Sequence, residues 1–77
     1  MTIDSILKRC SKYSGWNLIV TTDVHGNLWF KDPGAGGESW LILSLRGNFL
    51  YEVYGRMSHW GISLEEKLAI VDYMKNR

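Results

Sequence analysis

The chain has 77 residues, 45% hydrophobic and 22% charged, a composition that predicts one compact folded domain over residues 1–77 and excludes a disordered protein. Its formal charge of +1 gives no strong overall field for nucleic acid or an anionic membrane. A single cysteine excludes an intramolecular disulfide, and no apolar run has the length of a signal peptide core or a membrane span, so we expect a cytoplasmic protein without membrane contact.

Residues 2–14 predict an amphipathic helix, because apolar side chains recur there at steps of three and four. Thr2 or Asp4 can cap its start, and Gly15 can adopt the left-handed conformation that ends a helix. Cys10 belongs to the apolar stripe, so we expect a buried thiol and not a nucleophile. The stripe consists of Ile3, Ile6, Leu7, Cys10 and Tyr13.

Residues 16–24 alternate with a period of two, which is typical of a strand. The turn residues His25-Gly26-Asn27 follow, and residues 28–31 resume the extended pattern, which together predict a β-hairpin. Residues 32–39 are rich in glycine and too many for a tight turn, so we expect a mobile loop. That loop lacks the lysine, followed by serine or threonine, that a phosphate-binding loop requires.

Residues 40–45 are apolar on both faces, as in a central strand, and the turn at residues 46–48 leads into a fourth strand over residues 49–54. Residues 55–61 form a connector. Ser63 and Glu66 then make a capping box, which predicts a second helix that runs nearly to residue 77. The residues that we expect this helix to bury are Leu64, Leu68, Ile70, Val71 and Met74.

This order predicts a two-layer α+β fold, αββββα, in which a four-stranded antiparallel meander is flanked by N- and C-terminal helices. Both helices are expected on one face of the sheet. The strand residues predicted to face them are Leu18, Val20, Leu28, Phe30, Leu41, Leu43, Leu45, Tyr51 and Val53. By alternation, the residues predicted to point to the opposite face are Ile19, Thr21, Trp29, Trp40, Ile42, Leu50, Glu52 and Tyr54.

That opposite face is unusually apolar, and an exposed apolar patch commonly marks an interface. Two alternatives stay open: the connector, with Met57 and Trp60, could cover the face, or a strand could pair in a shifted register. If the face is exposed, we predict a small non-enzymatic protein-binding module. The two forms that we consider are a regulator or inhibitor that acts by occlusion, of the type that phages and mobile elements encode, and a homodimer that forms through the open sheet face. The predicted partner-binding residues are Ile19, Trp29, Trp40, Ile42, Glu52, Tyr54 and Arg56.

Binding of single-stranded nucleic acid is the alternative function, because aromatic side chains on a sheet can stack with bases. The charge near zero and Glu52 on the fourth strand count against it. The basic residues for this role would be Lys8, Arg9, Lys12, Arg46 and Arg56.

Catalytic and metal-binding roles lack their usual sequence patterns. No pair of candidate ligands has a close spacing such as Cys-x-x-Cys or His-x-x-x-His. We therefore expect no enzymatic activity, no metal and no cofactor. The candidate ligands are Cys10, Asp23, His25, Asp32 and His59.

Overall fold

A computed structural model describes residues 1–35 and 38–77 of the chain. The four strands form one antiparallel sheet in the order β1-β2-β3-β4, so the predicted αββββα α+β fold is confirmed. The elements are α1 (Ile3–Ser14), β1 (Ile19–Thr22), β2 (Leu28–Asp32), β3 (Glu38–Arg46), β4 (Phe49–Tyr54) and α2 (Leu64–Lys75). Short 3-10 turns lie at Pro33–Ala35 and Met57–Trp60.

Capping boxes begin both helices. The Thr2 hydroxyl accepts a hydrogen bond from the Ser5 amide at 3.2 Å, and the Ser63 hydroxyl accepts one from the Glu66 amide at 3.2 Å. Gly15 ends α1 in the left-handed conformation, with a φ of 77°, as predicted. Among the described residues, neither helix has the length and apolar character required to cross a bilayer.

The core lies between one face of the sheet and a layer made of α1, α2 and the connector. Strand residues at alternate positions form its base, and the connector adds two large side chains, Met57 and Trp60, together with Ile62. Most of the predicted core residues are therefore confirmed. The buried residues from helices and strands are Ile6, Cys10, Leu18, Leu28, Phe30, Leu41, Leu43, Ile70 and Met74.

The predicted apolar stripe of α2 is wrong in part. Leu64 and Leu68 are 71% and 61% exposed, while Ile70 and Glu66 are buried. Arg9 of α1 forms a 2.6 Å ion pair with Glu66, which requires that side of α2 to face α1. The buried side of the helix is therefore rotated away from Leu64 and Leu68.

Strand β1 is shorter than predicted, because side chains bind the backbone of the residues that precede it. The Asn17 amide donates to the Asp32 carboxylate at 3.0 Å, and the Leu18 amide donates to the Ser11 hydroxyl at 3.1 Å. These two amides therefore donate to side chains, and the backbone pairing of β1 with β2 begins only at Ile19.

The phase of β4 is opposite to the predicted one. A two-residue turn, Gly47-Asn48, pairs Arg46 with Phe49, and this register places Leu45 opposite Leu50. Directly opposed residues share a face of an antiparallel pair. Leu50 and Glu52 therefore face the helix side with Leu45 and Leu43, whereas Tyr51 faces the opposite side with Ser44. Val53, predicted to face the core, lies at an irregularity in this pairing and is 53% exposed.

A second irregularity changes the position of Trp40, which was predicted to lie opposite the helices. Phe30 pairs with Leu41 but Lys31 pairs with Ser39, so Trp40 is the extra residue of a β-bulge. Its side chain packs against the core. A bulge interrupts the alternation of side chains along a strand. The prediction for Trp40 assumed strict alternation and was therefore wrong.

The predicted loop at residues 32–39 is shorter in the structure. Strand β2 continues to Asp32, and β3 already begins at Glu38. The Asp32 carboxylate is buried and accepts a hydrogen bond from the Gly34 amide at 2.8 Å, which stabilises the turn after β2. The rest of the loop prediction concerns Gly36 and Gly37, which lie outside the described residues.

Candidate binding surface on the helix-free face of the sheet

The open face is the side of the sheet opposite to the helices. Both helices and the turn Met57–Trp60 contribute side chains to the core on the other side, so the predicted alternative that the connector covers this face is wrong. Ile19, Tyr54 and Phe49 on the open face are 43%, 59% and 67% exposed. The strand register assigns to this face Ile19, Thr21, Trp29, Lys31, Ile42, Ser44, Arg46, Phe49, Tyr51 and Tyr54.

A row of directly paired residues crosses the middle of the open face. Thr21 of β1 pairs with Trp29 of β2, Trp29 pairs with Ile42 of β3, and Ile42 pairs with Tyr54 of β4. Paired side chains on one face lie about 5 Å apart at their Cβ atoms. Trp29, Ile42 and Tyr54 therefore form one continuous apolar strip across three strands.

Hydrogen bonds fix the orientation of the Trp29 indole. Its Nε1 donates to the Asp23 carboxylate at 2.9 Å, and the same carboxylate accepts from the backbone amides of Asn27 at 3.0 Å and His25 at 2.9 Å. The bond from Trp29 is the largest cause of the shift in the pKa of Asp23. Desolvation opposes it, but the further bonds from Asn27 and His25 act with the Trp29 bond and lower this pKa to about 2. The Lys31 ammonium lies 5.7 Å from the centre of the Trp29 ring.

A second aromatic cluster lies where β3 turns into β4. The Phe49 and Tyr51 rings stack with centroids 6.3 Å apart and an interplanar angle of 18°. The Arg46 guanidinium carbon lies 5.4 Å from the centre of the Tyr51 ring, a cation–π geometry. The Ser44 hydroxyl, and after it the Arg46 guanidinium, lower the pKa of the Tyr51 phenol.

No protein-family model, curated protein or solved structure matches this chain. We therefore infer function from the chemistry of the open face and its surroundings.

Four of the seven predicted partner-binding residues come together on the open face, and three do not. The Trp40 side chain instead lies at the edge of the core, where its ring centroid is 4.3 Å from that of Trp16. Its buried Nε1 has no acceptor among the described residues. Glu52 faces the helix side, where its carboxylate accepts from the Met57 amide at 3.2 Å. Arg56 follows β4 and borders the surface beside Tyr54. The four that come together are Ile19, Trp29, Ile42 and Tyr54.

The prediction of partner-binding residues missed Phe49, Tyr51 and Arg46 as part of this surface. The two-residue turn Gly47-Asn48 was the available signal, because a turn of that length pairs the residues on either side of it. With Leu45 known to face the core, this pairing requires Leu50 to do the same. Phe49 and Tyr51 then follow on the open face by alternation.

The basic residues expected to bind nucleic acid are divided between the two sides of the molecule. Lys8, Arg9 and Lys12 belong to α1, on the helix side. Arg9 is engaged inside the protein, since it pairs with Glu66 and its Nη2 donates to the Trp60 carbonyl at 2.9 Å. Only Arg46 of the predicted set lies on the open face.

The candidate metal ligands do not come together. No group of three or more His, Cys, Asp or Glu residues able to hold a metal occurs in the part of the chain that the structure describes. The Asp23 and Asp32 carboxylates instead accept backbone amides at turns. Cys10 is fully buried, as predicted, and burial raises the pKa of its thiol.

Proposed function

We propose that this protein is a non-enzymatic binding module whose open face docks a protein partner. The supporting observation is the row of Trp29, Ile42 and Tyr54 across three adjacent strands, in which Tyr54 is exposed and Trp29 and Ile42 are half-buried. Large aromatic side chains held in fixed orientations supply much of the binding energy of protein interfaces, because they bury a large apolar area at a low cost in entropy. The Asp23 bond to Trp29 provides such an orientation before a partner binds.

We propose that the protein regulates or inhibits its partner by occlusion. A sheet face that docks on a partner can block access to the partner's own site without any chemical step. The buried and reduced Cys10 is compatible with a cytoplasmic location, which we include in the proposal.

Mutation of the open face tests the proposal. The full chain captures its partner from an extract of the cells that produce it, and the purified partner is then titrated with variants. We expect Trp29→Ala and Tyr54→Ala each to weaken binding by about thirtyfold, as central aromatic residues of interfaces do. Tyr13→Ala is the matched control, because Tyr13 is 68% exposed on α1, on the helix side.

Circular dichroism and thermal unfolding must show that each variant remains folded. A partner that binds both face variants as tightly as the parent chain would contradict the proposal. A dimer in sedimentation experiments that Tyr54→Ala dissociates would identify the partner as a second copy of the chain.

Binding of single-stranded nucleic acid is the second candidate, favoured by the stacked rings of Phe49 and Tyr51 beside Arg46. Two features of the open face oppose it. Asp23 adds a negative charge next to Trp29, and Lys31 and Arg46 are the only cations that the register assigns to this face among the described residues. Retardation of a labelled oligonucleotide that Phe49→Ala abolishes and that salt weakens steeply would favour this candidate.

A further inference from the structure

A cleft of about 560 Å³ lies at the corner where β4 ends and the connector begins. We call it the corner cleft. It adjoins the open face, because Tyr54 is both a member of the central row and part of the cleft wall. The lining residues are Trp40, Val53, Tyr54, Gly55, Arg56 and His59.

Gly55 shapes this cleft. Its φ of 74° lies in the left-handed region, and a Cβ at this position would collide with the carbonyl oxygen of Trp40. Only glycine allows the chain to pass so close to β3. The close passage brings Tyr54 and Arg56, on either side of Gly55, to the same cleft as Trp40.

The cleft is lined by basic side chains. Arg56 and His59 are its ionisable lining residues besides Tyr54, and no acidic side chain lines it among the residues that the structure describes. The nearest acidic residue along the chain, Glu52, faces the helix side and accepts the Met57 amide. Arg56 makes no capping hydrogen bond, and no ion pair of Arg56 occurs within the described part of the chain. Its guanidinium donors therefore remain available to an incoming group.

We propose that the corner cleft binds the carboxylate of an aspartate or glutamate from the protein partner that docks on the open face. The inference rests on the proposed function and adds the chemistry of the partner to it. A guanidinium group can donate two parallel hydrogen bonds to a carboxylate, which gives both affinity and orientation. Tyr54 and Trp40 provide apolar walls for the methylene groups and neighbouring residues of the bound segment.

The charge of the adjoining surface matches this partner. Lys31 and Arg46 lie on the open face and Arg56 lies at its corner. Among the described side chains, the one acid on this face is Asp23, whose oxygens already accept hydrogen bonds from Trp29 and the turn after β1. A segment with acidic and apolar residues is therefore complementary to the whole surface. A second copy of the chain would instead oppose these cations to one another.

Selection from a peptide library displayed on phage, with the full chain as bait, tests the inference. We expect the selected peptides to combine aromatic or aliphatic residues with at least one aspartate or glutamate. For a synthetic peptide from this pool, we expect Arg56→Ala to weaken binding by about tenfold and Arg56→Glu to abolish it. Lys12→Glu, which makes the same change of charge on the exposed side of α1, should leave the affinity unchanged.

A double-mutant cycle identifies the contact itself. Replacing the peptide's acidic residue with its amide should weaken binding to the parent chain about tenfold and leave binding to Arg56→Ala unaffected. In ¹H–¹⁵N spectra of the complex, the Arg56 side-chain resonance should shift on binding the acidic peptide and not on binding the amide variant.

The outcomes separate this inference from the proposed function. If Tyr54→Ala abolishes peptide binding while all Arg56 variants bind normally, the corner cleft inference is wrong and the docking surface stands. Selected peptides without acidic residues would likewise overturn the corner cleft inference alone. A library that yields no peptide dependent on Tyr54 or Arg56 contradicts both. Retention of oligothymidylate by the parent chain, lost in Arg56→Glu, would assign the cleft to phosphate and overturn its assignment to a carboxylate.

Discussion

At the scale of single residues, the main feature is the use of acidic side chains as hydrogen-bond acceptors at turns. The Asp23 carboxylate binds the amides of the turn after β1 and the indole of Trp29 at the same time. It therefore joins the conformation of a turn to the orientation of the most central aromatic ring on the open face. Charged acceptors form stronger hydrogen bonds than neutral ones, so protonation of this one residue affects both features.

Acid titration should reveal this role of Asp23. Its pKa is lowered to about 2 in the folded chain, so its ionised form stabilises the fold fully above the ordinary carboxyl pKa and loses this effect as the pH falls from about 4 to about 2. We expect Trp29→Phe to raise the pKa of Asp23, because the indole donor is the largest cause of the shift. Side-chain carboxyl NMR titration measures both values. An unchanged pKa in Trp29→Phe would contradict this role.

At the scale of secondary-structure elements, α2 shows that a sequence can contain more apolar stripes than the fold uses. Leu64 and Leu68 lie one turn apart on a side of the helix that is exposed, while Ile70 and Met74 lie one turn apart on the buried side. Both pairs have the spacing of an amphipathic helix. Which pair is buried depends on the contact between Glu66 and Arg9, a residue 57 positions earlier in the chain.

Substitutions on the two sides of α2 should differ strongly in their effect on stability. Leu68→Ala should change the free energy of unfolding by less than about 0.5 kcal/mol, because the side chain is already largely in water. Ile70→Ala should cost about 3 kcal/mol, since it leaves a cavity beneath the helix. Urea unfolding followed by circular dichroism measures both changes. Equal losses would show that α2 is rotated differently from the structure.

At the scale of the whole molecule, the ion pair of Arg9 and Glu66 connects three parts of the helix layer. Arg9 belongs to α1, Glu66 begins α2, and the same guanidinium donates to the Trp60 carbonyl in the connector. The Glu66 side chain is only 7% exposed. Burial alone would raise the pKa of its carboxyl, but the hydrogen bonds from Arg9 and Ser63 prevail and lower it. The pair therefore holds the connector on the helix side, away from the open face.

Glu66→Gln isolates the contribution of this pair, because glutamine can still complete the capping box with Ser63. We expect a loss of about 1.5 kcal/mol at neutral pH in urea unfolding, since Arg9 loses its charged partner while its side chain, 38% exposed, stays partly solvated. The difference from the parent chain should shrink as the pH falls below the ordinary carboxyl pKa, where the folded parent also loses the ionised partner. Glu65→Gln, on the exposed side of the same turn, is the control and should cost about 0.5 kcal/mol or less. A similar loss for both variants would contradict the assigned role.

The order of elements, the caps and most of the core could be predicted because each depends on residues close together in the chain. The capping box of Ser63 and Glu66 and the left-handed Gly15 are local hydrogen-bond and steric effects. Alternation within β2 alone placed Leu28 and Phe30 in the core, and the structure agrees. From the same local rule, Trp29 was correctly predicted to lie opposite the helices.

Pairing between elements decided what local patterns could not. The bulge beside Phe30 moved Trp40 from the open face to the core edge, and the register after the turn Gly47-Asn48 exchanged the faces of Leu50 and Tyr51. In each case, two strands must satisfy one another's backbone hydrogen bonds, so a shift of one residue in the partner reverses the direction of a side chain. The sequence by itself therefore determined that one sheet face is left without a helix, whereas the tertiary structure determined which aromatic residues lie on it.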